Sequence, residues 1–409
     1  MTDMAAPGST RRVEGGVLAV PGFRGATARC GLYDEPRDDL ALIVADRECE
    51  TAGVFTRNQV PAAPIILTRE RLHLAPRARS IVINAGNANA LTGPAGLVAA
   101  ERMLARLEET CGGPALVLST GVIGVPFPLD PVLAGIGRAS TELTSAADGA
   151  VARAILTTDT RPKTSATQVD LPGEARSVTL GGVAKGSGMI HPNMATMLAV
   201  IAIDRAIPAA LLSSMLRASV DVSFHEISVD GDTSTNDAVL VLARPTEGED
   251  PVAAGSAAAE ALGRALTAVC RDLAAQIVAD GEGMTKVLRV EVQGARSDFD
   301  AKRIASTIAG SLLVKTAVAG RDPNWGRFIA VAGNAGVPID PSRLELALGG
   351  VIVYTRGQPR EISAAETSRI FADDVVVARL SLGVGTHGAR MATTDLTYEY
   401  VRINAEYTT

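Results

Sequence analysis

Five short apolar runs follow one another within roughly the first ninety residues, and this pattern limits the fold more than any other feature of the sequence. Each run is rich in β-branched residues and is bounded by turn residues, which predicts short strands at close spacing. These predicted strands span residues 16–20, 40–44, 53–56, 65–68 and 80–84. Later apolar runs predict further strands at 115–119, 196–203, 238–243, 375–382 and 397–403.

Helical spacing of apolar residues separates many of these strands. The predicted helices span residues 94–110, 142–156, 208–219 and 253–279. Aromatic residues make up only 3% of the chain and apolar residues 47%, so the core must be built mostly from Ala, Val, Leu and Ile. A chain of 409 residues is long enough for two or three closely packed units. We therefore expect an α/β (mixed α+β) fold in which layered sheets are covered by helices.

The charge and the cysteines limit the partners and the compartment. The formal net charge is −6, and Lys and Arg are scattered along the chain, so nucleic acid is not an expected partner. No run approaches the roughly 18 apolar residues of a membrane span, so no membrane is expected either. Cys30, Cys49, Cys111 and Cys270 are far apart, which favours reduced thiols over a zinc site or a disulfide framework. The expected location is the cytoplasm.

Several segments resemble common binding motifs but lack a required residue. The segment 230–237, DGDTSTND, has neither the Gly nor the Glu that an EF-hand calcium loop needs, which favours a hydrogen-bonded turn. In the segment 181–188, GGVAKGSG, the lysine does not follow the second glycine of a Walker loop, so nucleotide binding is not indicated. The four histidines have no i,i+4 partner for a zincin-type metal site, and no G-x-S-x-G elbow is present. A different class of nucleophile remains.

Thr196, at the start of the predicted strand 196–203, can act as a nucleophile on its own chain. Its hydroxyl can attack the carbonyl of Ala195, and hydrolysis of the resulting ester would leave a chain that begins with Thr196. The free α-amine of such a chain has an ordinary pKa of about 7.7–8.0 and can serve as the base for the adjacent hydroxyl. The ordinary interpretation of Thr196 is a threonine within a β-strand. The chemistry therefore makes self-cleavage possible but does not by itself indicate it.

Ordered motifs along nearly the whole chain make it similar to the ornithine acetyltransferases, also called glutamate N-acetyltransferases. The segment 185–198, KGSGMIHPNMATML, resembles the self-cleavage signature of that family. Further matching segments are 53–58 GVFTRN, 84–90 NAGNANA, 119–124 STGVIG, 157–160 TTDT, 230–237 DGDTSTND, 280–283 DGEG and 322–327 DPNWGR. The resemblance implies a self-cleaving fold shared with related aminopeptidases, with an α chain 1–195 and a β chain 196–409 assembled as α₂β₂.

The same resemblance implies roles for individual residues. Thr196 matches the nucleophile and, together with Ala195, the cleavage site, while Thr120 and Gly121 match the oxyanion hole. The substrate-binding positions of the family are matched by Thr157, Lys185, Thr196, Glu282, Asn404 and Thr409. We expect the ammonium of Lys185 to pair with a substrate carboxylate and the carboxylate of Glu282 to meet the cationic amine of ornithine.

The implied reaction is a ping-pong transfer. N2-acetylornithine gives its acetyl group to Thr196, and glutamate then collects it as N-acetylglutamate. No cofactor or metal is expected, and the sequence leaves open whether acetyl-CoA is a second acetyl donor. Three alternatives also stay open: an amidohydrolase or aminopeptidase of the same self-processing fold that passes the acyl group to water, a transferase with a different acceptor in a natural-product pathway, and a binding protein that never cleaves.

Overall fold

A computed structural model describes residues 10–174, 176–191 and 197–406, and it arranges the strands of these residues in two sheets. The strands of the first sheet are β1 (Thr10–Val13), β2 (Phe23–Ala28), β3 (Leu40–Phe55), β4 (Arg77–Asn84), β5 (Ala115–Ser119), β6 (Lys163–Asp170), β7 (Ser177–Lys185), β8 (Leu198–Ile203) and β9 (Ala238–Ala243). The strands of the second sheet are β10 (Val287–Ala295), β11 (Glu345–Leu348), β12 (Val351–Thr355), β13 (Gln358–Pro359), β14 (Val375–Ser381) and β15 (His387–Thr394). The helices are α1 (Ala63–Leu74), α2 (Gly93–Cys111), α3 (Leu129–Ser140), α4 (Asp148–Ala154), α5 (Ala209–Asp221), α6 (Ala257–Val278), α7 (Asp298–Ala309), α8 (Leu312–Ala319), α9 (Trp325–Gly333), α10 (Ala364–Ile370) and α11 (Tyr398–Glu406).

The central strands of the first sheet are buried on both faces. Its order is β1-β6-β7-β8-β9-β3-β4-β5, with β2 paired to β3, and the pairs β8/β9 and β4/β5 are parallel. Residues of α5 and α6 pack with one face of the central strands, and residues of α1 and α4 pack with the other. Every residue of β8 and β9 is therefore buried, which explains why these strands are continuous apolar runs without alternation.

The predicted boundary between residues 195 and 196 lies between two neighbouring strands of this sheet. Strand β7 ends at Lys185 and β8 begins at Leu198, and these two residues are opposite each other in an antiparallel pair. Both predicted chains would therefore contribute to one core. The boundary itself lies outside the described residues.

The second sheet is covered mainly on one face. Its order is β13-β12-β11-β14-β10-β15, and α7 packs on β10 and β15. In β14 the side chains of Val376, Ala378 and Leu380 are buried, whereas those of Val375 and Arg379, which point to the other face, are exposed. This alternation is typical of a sheet with one face toward a core. In the part of the chain that the structure describes, no helix is long and apolar enough to cross a membrane.

The mixed α/β prediction is confirmed, and the predicted strands 115–119 and 238–243 coincide with β5 and β9. The strand predicted at 65–68 is wrong, because these residues lie within α1. Pro64 stands in the first turn of this helix, where a missing N–H costs nothing. Ile65 and Thr68 are three residues apart and are both buried, so the apolar run is the inner face of a helix.

The strand predicted at 397–403 is also wrong, because the chain forms α11 there. Arg402 pairs with Glu399 three residues earlier and with Glu406 four residues later, a spacing that stabilises a helix. The strand predicted at 16–20 is a short 3-10 turn at Val17–Ala19. The strands predicted at 40–44 and 53–56 are two parts of β3, and the helix predicted at 142–156 is shortened to α4.

Candidate active site

Six residues that were predicted from the sequence as site residues line a single cavity. They come from widely separated parts of the chain and are Thr120, Gly121, Thr157, Lys185, Glu282 and Asn404. The remaining lining residues are Ala88, Ile123, Thr158, Gly188, Met189, Ser234 and Asn236. Three other predicted site residues, Ala195, Thr196 and Thr409, lie outside the described residues, and their roles stay predictions.

The loop after β5 carries two of these residues in a fixed conformation. The N–H of Thr120 donates to the carbonyl of Asn84 at 2.9 Å, and the N–H of Val122 donates to the carbonyl of Gly86 at 3.2 Å. Gly121 between them has a φ of 126°, and a Cβ at this position would lie 2.3 Å from the carbonyl carbon of Gly86. Only glycine therefore fits there.

The N–H of Gly121 differs from the N–H groups of its neighbours Thr120 and Val122. Within the residues that the structure describes, it has no hydrogen-bond acceptor, and the hydroxyl of Thr120 has no acceptor either. Two consecutive residues thus present an unused N–H and an unused O–H beside the cavity. This is the donor set that an oxyanion hole requires.

Lys185 ends β7 with its ammonium group inside the protein. Only 2% of the residue is exposed, and its Nζ donates to Thr157 Oγ1 at 2.8 Å and to Thr120 Oγ1 at 3.3 Å. Asp159 Oδ2 is 3.8 Å from the same nitrogen. Burial lowers the pKa of Lys185, and the carboxylate of Asp159 opposes this effect.

A buried chain of charges continues behind Lys185. Lys163 Nζ lies 2.6 Å from Asp159 Oδ1 and 2.6 Å from Asp280 Oδ2, and all three side chains are at most 4% exposed. Asp159 also accepts hydrogen bonds from the N–H groups of Thr157 at 3.1 Å and Gly186 at 2.7 Å. Burial works against ionisation of Asp159, but Lys185 and Lys163 outweigh it and hold its pKa at about 2.

This network of buried charges was not predicted from the sequence, although the segments 157–160 and 280–283 that contain Asp159 and Asp280 were matched to family motifs. Lys163 and Asp280 are 117 positions apart, and no local pattern joins them. The only signal in the sequence is that each of these two segments contains an Asp two residues from a predicted substrate-binding residue. This spacing does not show that Lys163, Asp159 and Asp280 are buried.

Glu282 lies in the turn after α6 and is held from two sides. Its N–H donates to the carbonyl of Ser187 at 2.9 Å, and Asn404 Nδ2 donates to its Oε2 at 2.8 Å. A Cβ on Gly188 would lie 2.4 Å from the carboxyl carbon of Glu282, so residue 188 must be glycine for the carboxylate to keep this place. Among the described residues, the charged groups that line the cavity are the buried ammonium of Lys185 and the carboxylate of Glu282.

The segment 230–237 holds the backbone on both sides of residues 192–196. The carboxylate of Asp230 accepts hydrogen bonds from the N–H groups of Met189 and of Ile190, the latter at 3.0 Å. Asp237 Oδ1 accepts from the N–H of Met197 at 3.0 Å, and burial raises the pKa of Asp237 well above its usual range. The segment predicted as a hydrogen-bonded turn thus fixes the backbone at residues 189–190 and at residue 197.

Comparison with known proteins finds that the sequence is similar to one family. The ArgJ family model matches residues 24–409. The arginine biosynthesis bifunctional protein ArgJ of Thermosynechococcus vestitus is 43% identical over 417 residues, which cover 98% of this chain and 99% of the relative. The protein of the same name from Symbiobacterium thermophilum is 45% identical over 400 residues, with 97% and 99% covered. A solved structure of ornithine acetyltransferase complexed with ornithine from Mycobacterium tuberculosis is 36% identical with a TM-score of 0.42, and the match covers 45% of this chain and 98% of that chain.

Proposed function

The chain belongs to the ArgJ family, and from this premise we propose that it transfers an acetyl group from N2-acetylornithine to glutamate through an ester on Thr196. Acyl transfer in arginine biosynthesis is the activity of this family, and the chain is an acyltransferase. One observation carries the detailed proposal. A single cavity combines two donors that have no acceptor among the described residues with a buried cation and a carboxylate.

The proposed chemistry consists of two matched steps. The hydroxyl oxygen of Thr196 attacks the acetyl carbonyl carbon of N2-acetylornithine, and its proton passes to the departing amine of ornithine through the α-amine of Thr196. The amine of glutamate then attacks the ester, and the hydroxyl of Thr196 is regenerated. In both steps a negative oxygen forms, and the O–H of Thr120 and the N–H of Gly121 are the groups that would stabilise it.

Substrate recognition is proposed to depend on Glu282 and Asn404. The carboxylate of Glu282 supplies a negative charge at the cavity, which suits the side-chain ammonium of ornithine. Glu282→Gln should therefore reduce the preference for N2-acetylornithine over N-acetylnorvaline, which has no side-chain amine, by about tenfold or more. Asp34→Asn, a change at an exposed acidic residue, is the matched control and should leave the preference unchanged.

Self-cleavage before Thr196 is part of the proposal. It would give the α chain 1–195 and the β chain 196–409, for which we propose an α₂β₂ assembly. Intact mass and N-terminal sequencing of the purified protein should find a chain that begins Thr196-Met197-Leu198. Thr196→Ala should abolish this chain, and Thr316→Ala, at an exposed threonine, should retain it. A single uncleaved species near 42.2 kDa with full transferase activity would contradict the mechanism.

An activity assay separates transfer from hydrolysis. With N2-acetylornithine labelled in the acetyl group, we expect little ornithine release until glutamate is added and then label in N-acetylglutamate. Ornithine release at the same rate without glutamate would instead favour an amidohydrolase, and a tenfold preference for another amine would favour a different acceptor.

We propose that no cofactor takes part. The word bifunctional in the relatives' names supports a second activity, and acetyl-CoA is the second donor that we propose to test. A location in the cytoplasm fits the four free cysteines.

A further inference from the structure

We propose that Lys185 is a positioning residue of the oxyanion hole, and that its ammonium turns the hydroxyl hydrogen of Thr120 toward the developing negative oxygen. This inference rests on the proposed acetyl transfer and deepens it. It differs from the expectation that Lys185 pairs with the carboxylate of the substrate. The evidence is the hydrogen bonding around the ammonium group.

The direction of the Lys185–Thr120 hydrogen bond is fixed by chemistry. The carboxylate of Asp159, 3.8 Å away, favours the charged form of Lys185, and an ammonium group has only donors. In the 3.3 Å contact between Lys185 Nζ and Thr120 Oγ1 the threonine oxygen therefore accepts. A hydroxyl group that accepts through its oxygen keeps its own hydrogen for another partner. Within the described residues no such partner is present, so this hydrogen remains available to an oxygen in the cavity.

The position of this hydroxyl favours an oxyanion as its partner. The next residue, Gly121, has an N–H without an acceptor among the described residues, and both residues line the same cavity. A hydroxyl hydrogen that rotated freely would point at the oxyanion only part of the time. The ammonium of Lys185 excludes rotamers in which that hydrogen points back toward it, because two donors would then face each other. The donor is therefore oriented before the negative charge forms.

The surroundings of Lys185 leave its ammonium little freedom to move to a substrate. Thr157 Oγ1 accepts a second hydrogen bond from Lys185 Nζ at 2.8 Å, and Asp159 Oδ2 lies 3.8 Å from the same nitrogen. Asp159 is itself fixed by Lys163 and by the N–H of Gly186, which directly follows Lys185 in the chain. With the residue only 2% exposed, two of its three donors are already used by threonine hydroxyls. The ammonium is placed to act on Thr120.

Steady-state kinetics with N2-acetylornithine distinguish orientation of Thr120 from binding of a substrate carboxylate. For Thr120→Val, which removes the donor, we expect kcat to fall by about 10²–10³, and for Lys185→Met, which leaves the hydroxyl present but not oriented, by about tenfold. KM should stay within about threefold of the wild type for both variants. The double variant should be no more than about threefold slower than the slower single variant, because both changes remove one oriented donor. Thr120→Ser should retain kcat within about threefold. A KM that rises tenfold with kcat unchanged, or single effects that multiply in the double variant, would overturn the proposal.

A substrate analogue gives a second test if Lys185→Met does not fold. N-acetylputrescine is N2-acetylornithine without its carboxylate, and Lys185→Arg keeps the charge while changing its geometry. If Lys185 orients Thr120, the fold-loss in kcat/KM caused by Lys185→Arg will be the same for both donors. If Lys185 binds the carboxylate, the loss will vanish for N-acetylputrescine, and the inference is wrong. Wild-type enzyme that shows no acetyl transfer at all would instead refute the proposed function, and the inference with it.

Discussion

Lys163 and Lys315 are both almost completely buried, at 0% and 2% exposed, but they meet different partners. Lys163 has two carboxylates at 2.6 Å, from Asp159 and Asp280. Lys315 donates to Thr394 Oγ1 at 3.1 Å, to Thr393 Oγ1 at 3.3 Å and to the carbonyl of Val229. Among the residues that the structure describes, no carboxylate lies within ion-pair distance of Lys315.

The comparison shows two ways of keeping a lysine inside a protein. Removal of an ammonium from water has a large cost, and full charges of opposite sign offset more of it than neutral oxygens do. Burial accordingly lowers the pKa of Lys315 to about 8, with the more distant Asp230 and Asp395 acting in the opposite direction. The paired lysine belongs to the chain of charges behind the cavity, where Asp159 joins it to Lys185. The other lysine joins α8 to residue 229, beside the segment that anchors the chain around residues 192–196.

The largest expected effect is that of Lys163→Met. The change leaves two buried carboxylates without their nearest cation, and we expect the free energy of unfolding to fall by about 3–5 kcal/mol. Urea denaturation followed by circular dichroism measures this. Lys302→Met, at an exposed lysine on α7, is the matched control and should change the free energy by less than about 0.5 kcal/mol. A loss below about 1 kcal/mol for Lys163→Met would mean that the pairing contributes little, and the comparison between the two lysines would fail.

The second prediction concerns acid. The folded pKa of Asp159 is about 2, below the ordinary value near 3.9 of an unfolded chain, so its stabilising contribution is present above pH 4 and is lost as the pH falls toward 2. We expect Asp159→Asn to be less stable than the wild type by about 2 kcal/mol at pH 7. This difference should shrink as the pH falls below about 4. Asp34→Asn, at an exposed position, should show a small and nearly constant difference over the same range.

Lys315 should show its effect at alkaline pH, which is the third prediction. Its folded pKa of about 8 lies below the unfolded value near 10.4, so between these values the unfolded chain binds more protons than the folded chain. Stability from this group therefore rises with pH in that window. We expect the wild type to gain about 1–2 kcal/mol relative to Lys315→Met between pH 8 and pH 10, and almost nothing between pH 6 and pH 7. A flat difference across the whole range would show that Lys315 keeps an ordinary pKa.

The sequence predicted the members of the cavity better than their interactions. Six of the thirteen lining residues were identified from motifs, because a motif preserves the order of residues whatever the fold that joins them. The chain of charges from Lys185 through Asp159 and Lys163 to Asp280 was not predicted. Its existence depends on burial, and burial is decided by strands and helices far apart in the chain.

The fold shows the same division. Strands β5 and β9 were predicted at their observed bounds because they are buried on both faces and read as uninterrupted apolar runs. Helices α1 and α11 were mistaken for strands. In α1 the β-branched residues of 65–68 suggested a strand, although a helix can bury the same side chains on one face. In α11 no residue is buried among those that the structure describes, so apolar periodicity gave no signal and only the charge spacing indicated a helix.

The smallest expected effect is that of Lys315→Met at pH 7. The change removes the three hydrogen bonds that Lys315 donates to neutral acceptors, which destabilises the protein. It also removes the cost of burying an ammonium group, which stabilises it, so the two effects oppose each other. The carbonyl of Val229 keeps a donor, because Thr394 Oγ1 already lies 3.4 Å from it. We therefore expect the free energy of unfolding to change by less than about 1 kcal/mol, in contrast to the large loss for Lys163→Met. Urea denaturation of both variants under the same conditions tests the comparison directly. Equal losses in the free energy of unfolding would mean that the cost of removing a buried lysine depends on its burial alone, and not on whether its neighbours are carboxylates or neutral oxygens.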